Sequence, residues 1–220
     1  MNLENKSLVP RNVVQRGSLP VAVGITIVLW LAYTALQTLF LTLQLDEVLV
    51  AVLEYIPGIL GIGVLLASGL SREECHLRLT WPSWKGLLVL VAFSLLWPFI
   101  LSTGRWIGWN WQAALVQGAG GISQELFFRA ALLPALLALF TNRRFLALVL
   151  HAALFAVWHA GAFLITPPQL IAGPIAIVTV SLVAGLVWGW QTMHDQTVIW
   201  AIVHHSLLWL IGSMFYLGPS

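Results

Sequence analysis

Charged side chains are scarce in this sequence, and their scarcity excludes most classes of soluble protein. Only 8% of the 220 residues are Asp, Glu, Lys or Arg, whereas 60% are hydrophobic. A soluble domain typically carries about 25% charged residues. The ten basic and eight acidic residues are scattered along the chain, so they indicate no surface for nucleic acid. The composition predicts one domain embedded in a lipid bilayer.

Cysteine is almost absent as well. Cys75 is the single cysteine, which excludes a disulfide within the chain and any zinc site made from two or more of its own thiolates. The HExxH motif of many zinc hydrolases is also missing. A site of two or three histidines and a glutamate stays open, but ligands would have to come from three separate helices. We therefore expect no cofactor.

Long apolar runs are what the sequence does contain. Those of spanning length, about 20 residues, cover roughly 19–43, 48–70, 86–103, 113–140, 144–166, 169–192 and 196–217. The predicted fold class is all-α, a polytopic membrane helix bundle of about seven transmembrane helices. The first run is too long for the core of a cleaved signal peptide. We expect a cytoplasmic segment at 1–18 and a single transmembrane domain at 19–217.

The distribution of basic residues predicts the orientation. With a cytoplasmic N-terminus, the basic residues of the N-terminal segment, of the 71–85 loop and of the 141–144 turn all lie inside. Arg105 alone lies outside, and Arg129 lies within the membrane. This asymmetry follows the positive-inside rule.

Polar side chains at bilayer depth are expensive and indicate function by default. The spans contain eight: Glu54, Gln124, Glu125, Arg129, His151, His159, His204 and His205. All except Glu54 fall on the fourth, fifth and seventh predicted helices. Counted from the 141–144 turn, Gln124 and His159 both lie roughly 24 Å along their helices. We expect them to face each other at one depth.

The fourth predicted helix presents two polar faces. Glu125 and Arg129 are four residues apart with the acid first, the favoured order for an ion pair on one face. We expect this pair to brace the helix. Gln124 is rotated by about 100° and shares its face with Gly120, Gly121 and other residues. The small residues leave room for water or substrate.

Three motifs on these helices resemble those of the CPBP family of intramembrane endopeptidases, which includes the type II CaaX prenyl proteases. The segment from Gln124 to Arg129 is similar to the EExxxR motif, and Phe155 to His159 matches FxxxH. The third element, a histidine followed four residues later by Asn or Asp, is best represented by His205 to Trp209. The resemblance places the catalytic core at about 113–210.

The resemblance implies a mechanism and a setting. In the family the first glutamate and the FxxxH histidine are thought to activate water, and the later histidine and asparagine to stabilise the oxyanion. The candidate catalytic residues are therefore Gln124, Glu125, Arg129, His159 and His205. A carboxylate and an imidazole already make a water-activating pair, which favours metal-independent hydrolysis. The expected partners are the lipid bilayer and a membrane-anchored peptide or protein substrate, and the expected location is a bacterial inner membrane.

Two positions depart from the family pattern. Gln124 replaces the first glutamate, and a neutral amide can orient a water but cannot take its proton. Trp209 replaces the asparagine, which leaves His205, His204 or the Trp209 indole as donor to an oxyanion. We therefore expect a protease that is inactive or greatly slowed. Gln124 is explained by a deliberate exchange that traps an inactive enzyme, by a natural non-catalytic relative, or by Glu125 acting as base after a helix rotation; the intact neighbours favour the first.

Other classes of function remain open on the sequence alone. Gln124 and Trp209 also suit a non-catalytic protein that binds hydrophobic or lipidated peptide tails. The histidines could instead ligate haem or relay protons. The eight-residue spacing of His151 and His159 prevents them from ligating one iron from opposite faces. A transporter is disfavoured because we find no repeated halves.

Overall fold

Helices form almost all of the structure, a computed structural model that describes residues 17–43, 46–97, 105–106, 108–165, 173–212 and 215–216. Their bounds are α1 Leu19–Leu43, α2 Glu47–Leu53, α3 Tyr55–Ala67, α4 Trp84–Ser94, α5 Trp111–Phe127, α6 Leu133–Leu139, α7 Arg144–Ile165, α8 Gly173–Asp195 and α9 Ile199–Gly212. A π-turn at Phe128–Leu132 joins α5 to α6. Two-residue strands, β1 Arg105–Trp106 and β2 Phe215–Tyr216, pair antiparallel. The predicted all-α membrane fold is confirmed.

Two of the predicted spans are interrupted helices. The second breaks at Glu54, between α2 and α3, three residues before Pro57. Proline has no N–H to bond the carbonyl four residues earlier, which weakens the helix at this point. The fourth span runs through α5, the π-turn and α6 without leaving the helical path.

Three segments in the described part of the chain are long and apolar enough to cross a membrane: Leu19–Phe40, Val48–Ala67 and Ala114–Leu139. In the predicted third span α4 ends at Ser94, and residues 98–104 lie outside the description. The sixth extends further than expected at its C-terminal end, since α8 ends at Asp195 instead of 192. The expected cytoplasmic segment and the 166–168 break also fall largely or wholly on residues outside the description.

The α5–α6 segment is the central helix of the bundle. In its most apolar stretch 72% of the residues are buried, compared with 22% in that of α1. The large side chains of α1 are widely exposed, as is typical of a surface that faces lipid. Glycines on α3 allow this helix to approach the α5–α6 segment closely. A Cβ at Gly61 would lie 2.8 Å from the Cβ of Ala131, and one at Gly58 would lie 3.2 Å from Leu126. This packing buries the polar residues of α5.

Ser181, Gly185 and Gly189 form a row of small residues, four positions apart, on one face of α8. This row packs against α7, as is common for small residues in membrane helices. A Cβ at Gly185 would lie 2.9 Å from the Cα of Ala152, and one at Gly189 would lie 2.7 Å from Leu148. Ser181, the first member of the row, is buried. The row lets α8 approach α7 closely.

The loop between α3 and α4 is fastened to the turn between α8 and α9. Leu77 forms an antiparallel bridge with Thr197, and Val198 N–H donates to the carbonyl of His76 at 2.9 Å. Trp200 Nε1 donates to the Thr80 carbonyl at 2.8 Å. The α9 helix is thereby anchored at its first turn.

Two titratable side chains of this loop are buried. Burial raises the pKa of the Cys75 thiol to about 12 and lowers the pKa of His76 to about 4.

Candidate active site

The fourth predicted span widens where its polar residues lie. The π-turn begins immediately after α5 and includes Arg129, and the Leu133 N–H donates to the Phe128 carbonyl five residues back. Pro134 follows at the start of α6. Its ring cannot donate to the carbonyl of Ala130 and would clash with it in a regular α-helix. A wider turn relieves this conflict, and such turns are frequent at functional sites.

Glu125 is the centre of a fully buried charge cluster. Its Oε1 lies 2.7 Å from Nδ1 of His205, and its Oε2 lies 3.0 Å from Nε of Arg129, with both side chains completely buried. The guanidinium of Arg129 also sits 4.0 Å from the ring centre of Phe155 on α7. The cluster therefore ties α5 to α7 and α9, and the predicted Glu125–Arg129 pair is observed.

His205 has a defined tautomer. Trp209 Nε1 donates to Nε2 of His205 at 2.9 Å. An indole N–H can only donate, so Nε2 carries a lone pair and Nδ1 carries the proton that faces Glu125. The His205 ring also stacks on Trp188 at 4.4 Å. Both ring nitrogens are therefore engaged.

His159 has the opposite arrangement. Its Nδ1 lies 2.9 Å from the Phe155 carbonyl, which can only accept, so Nδ1 is the protonated nitrogen and Nε2 keeps a lone pair. The ring packs edge-on against Phe155 and Trp158. It lies close enough to Arg129 and His205 to interact with both electrostatically. An imidazole held in this way can accept a proton at Nε2.

Gln124 is buried next to this cluster. Its side chain is 7% exposed, and its Oε1 has no hydrogen-bond partner among the described residues. On the helical wheel it lies between Gly120, which faces Glu54, and Gly121, which faces His205 and Trp209. That Gln124 and His159 meet at one depth stays a prediction.

A known protein family matches the segment of the chain that holds these residues. Residues 106–211 match the family described as type II CAAX prenyl endopeptidase Rce1-like. The match spans just under half of the chain and includes all three motifs. Over this segment the chain is similar to that family. No curated protein and no solved structure gives a significant match.

Both ring nitrogens of His204 are used in contacts between helices. Trp188 Nε1 donates to its Nδ1 at 2.9 Å, so Nε2 carries the proton, which faces the Leu90 carbonyl at 3.0 Å and Ser94 Oγ at 2.9 Å. With both nitrogens used, His204 is a poor candidate for the oxyanion donor that the sequence left open. It fastens α9 to α4 and α8.

The indole of Trp209, the other alternative donor, is engaged as well. Its N–H already points at His205, so it could reach an oxyanion only by releasing that imidazole. Trp209 therefore does not reproduce the role of the family's asparagine in this arrangement. The position acts here as a partner of His205.

The histidines of the matched segment differ in whether a ring nitrogen is free of hydrogen bonds. In the part of the chain that the structure describes, no three His, Cys, Asp or Glu side chains converge as a ligand set. A ligating histidine needs a free ring nitrogen, and His204 and His205 have both of theirs hydrogen-bonded.

Sequence reasoning missed the partner of Glu54. Ser123 Oγ donates to its Oε2 at 3.2 Å, and Glu54 is 6% exposed. The neighbouring Tyr55 hydroxyl donates to the Ala119 carbonyl at 3.1 Å. The position of Ser123, directly before the first motif, could have drawn attention to this residue. Its contact with Glu54 joins two helices, however, and the periodicity of either helix alone does not predict it.

Proposed function

We propose that this chain is an intramembrane endopeptidase that hydrolyses a peptide bond of a membrane-anchored substrate, and that Gln124 greatly slows it. The observation that carries the proposal is the set of buried polar side chains on α5, α7 and α9, inside the segment that matches the Rce1-like family. Buried polar groups of this kind are rare at membrane depth unless they serve a reaction or a pathway.

The roles follow from what each group can do. A carboxylate at position 124 would take the proton of an attacking water, and Nε2 of His159 would share it. The proton would then pass to the leaving amine. Glu125 and Arg129 would hold α5 and orient His205. Glu125 itself is a poor base, because its Oε1 faces His205, its Oε2 is in an ion pair with Arg129, and the side chain is completely buried.

His205 remains the proposed oxyanion donor, with a condition. Its Nδ1–H faces Glu125 and its Nε2 accepts from Trp209. A donor role therefore requires a second proton on Nε2 and a shift of the Trp209 indole. This requirement is a second reason to expect slow turnover in the chain as it stands.

The test is Gln124→Glu, assayed in proteoliposomes with fluorogenic peptides tethered to the bilayer. We expect the rate of cleavage to rise at least about 100-fold, the scale of general-base catalysis. Gln117→Glu is the matched control, because it places the same charge at an exposed position of the same helix. His159→Ala in the Q124E background should abolish the gain. No gain with Q124E, or an equal gain with Q117E, would overturn the proposal.

A non-catalytic binder of hydrophobic or lipidated tails is the second candidate. It is favoured by the neutral amide at position 124 and by the tight engagement of His205 with Trp209. The same assay separates the two functions. A binder would retain the tethered peptide with and without Q124E and would cleave it in neither case.

A further inference from the structure

Glu54 is a buried carboxylate that the family motifs do not use. It lies at the break between α2 and α3, outside the segment that matches the family model. A carboxylate at this depth is costly, and those that persist usually have a function or a strong partner. Within the described residues, no basic side chain forms an ion pair with it.

The hydrogen bond from Ser123 satisfies Glu54 only in part. Ser123 Oγ lies 3.2 Å from Oε2 of Glu54 and 2.8 Å from the Gly120 carbonyl. A hydroxyl has one proton, so it must be shared between these two acceptors, of which the carbonyl is the nearer. The carboxylate therefore has capacity to accept a further hydrogen bond.

Gly120 places this carboxylate on the side of α5 that carries Gln124. A Cβ at Gly120 would lie 3.4 Å from Oε2 of Glu54. Apart from the neighbouring residues and backbone of α5 itself, no other described atom lies within 4 Å of that point. Gly120 precedes Gln124 by four residues, so the two positions are neighbours on one face. Helical side chains generally lean toward the N-terminus, which on this face is the direction from Gln124 to Gly120.

Two buried acceptors therefore lie on this side of α5. Oε1 of Gln124 is buried without a partner, and Glu54 holds only a shared proton from Ser123. A water needs a few polar partners to be held in a buried site. A single water that donates one hydrogen to each of these acceptors would satisfy both and keep a lone pair for attack.

We propose that Glu54 is a second water-activating carboxylate, which acts across Gly120 and supplies the residual hydrolysis of the chain with Gln124. The inference rests on the proposed function. The water oxygen bonds to the carbonyl carbon of the scissile amide while its proton passes to Glu54. The protonated Glu54 then gives that proton to the amide nitrogen, the C–N bond breaks, and the carboxylate is restored.

The test compares Glu54→Gln in two backgrounds. In the parent chain we expect slow but measurable cleavage of the tethered peptides, which E54Q lowers at least about tenfold, within the scale of general-base catalysis. In the Q124E background, where position 124 supplies the base, E54Q should lower the rate less than threefold. Gln still accepts from Ser123, so the fold is preserved, and an unchanged thermal midpoint in detergent checks this.

Glu73→Gln is the matched control, since that side chain is exposed and far along the chain from the motifs. A parent chain with no cleavage beside an active Q124E overturns the role of Glu54 alone. Equal losses from E54Q in both backgrounds, or no loss in the parent, also overturn it. Absence of cleavage in both the parent and Q124E overturns the proposed function together with this inference.

Discussion

Trp209 donates its indole N–H to Nε2 of His205 at 2.9 Å, and this bond decides what the histidine can do. The proton of His205 is thereby placed on Nδ1, 2.7 Å from Oε1 of Glu125. Neither ring nitrogen presents a proton to a substrate. At the position where the family motif has an amide side chain, this chain has a donor directed at its own histidine.

Trp209→Asn should therefore restore the third motif and increase catalysis. In the Q124E background we expect kcat to rise about tenfold or more, because an oxyanion donor is worth about 100-fold to 1,000-fold in other enzymes. The measurement is the initial cleavage rate in proteoliposomes. Trp209→Phe is the control, since it frees Nε2 of His205 without adding a donor. An Asn variant no faster than the Phe variant would contradict the interpretation.

The Glu125–Arg129 pair should behave as a unit in stability. Arg129→Met leaves a buried carboxylate with only His205, and Glu125→Gln leaves a buried guanidinium without a counter-charge, so each should cost about 3–5 kcal/mol of unfolding free energy. The double variant should cost clearly less than the sum, because no unpaired charge remains. Unfolding in SDS-containing mixed micelles measures this. Strictly additive effects would show that the pair is not coupled.

Much of the architecture was accessible from the sequence because hydropathy and spacing encode it. Span length predicted the helices, and the four-residue spacing of Glu125 and Arg129 predicted their ion pair, which is observed at 3.0 Å. The four-residue spacing of Gly185 and Gly189 is likewise visible in the sequence, and this face of α8 packs on α7. These features depend on one helix at a time.

Contacts between helices were less accessible. Glu54 and Ser123 lie 69 positions apart, and no local pattern pairs them. His204 and His205 are adjacent, yet a rotation of about 100° sends one to Leu90 and the other to Glu125. Sequence alone could not say which imidazole was committed to packing. The Trp209–His205 bond has a helical spacing, but the family pattern directed attention to an oxyanion role instead.

Gly185, in the α7–α8 contact, and Gly63, at an open position of α3, should respond differently to substitution by alanine. Gly185→Ala would place its Cβ 2.9 Å from the Cα of Ala152, and backbone cannot yield easily, so we expect a loss of about 1–3 kcal/mol. Gly63→Ala meets nothing within 4 Å and should be neutral or gain up to about 1 kcal/mol from helix propensity. Thermal unfolding in detergent distinguishes them. Equal midpoints for the two variants would refute the close contact.

His76 gives the fold a dependence on pH that can be measured outside the membrane span. Burial lowers its pKa to about 4 in the folded chain, with Arg144 acting in the same direction, whereas an unfolded histidine has a pKa near 6.5. Between these values the unfolded state binds a proton that the folded state does not. The stability that this residue contributes is therefore complete above about pH 6.5 and decreases as the pH falls toward 4.

His76→Asn tests this prediction. Asparagine suits the left-handed backbone at this position, where φ is 56°, and it does not titrate. Between pH 7.5 and pH 5 the parent chain should lose about 2 kcal/mol more unfolding free energy than the variant. His194→Asn, at an exposed position of α8, is the control and should keep the pH dependence of the parent. If His76→Asn and the parent lost equal stability over this interval, the α3–α4 loop would not bury a neutral imidazole, and its attachment to the α8–α9 turn would need revision.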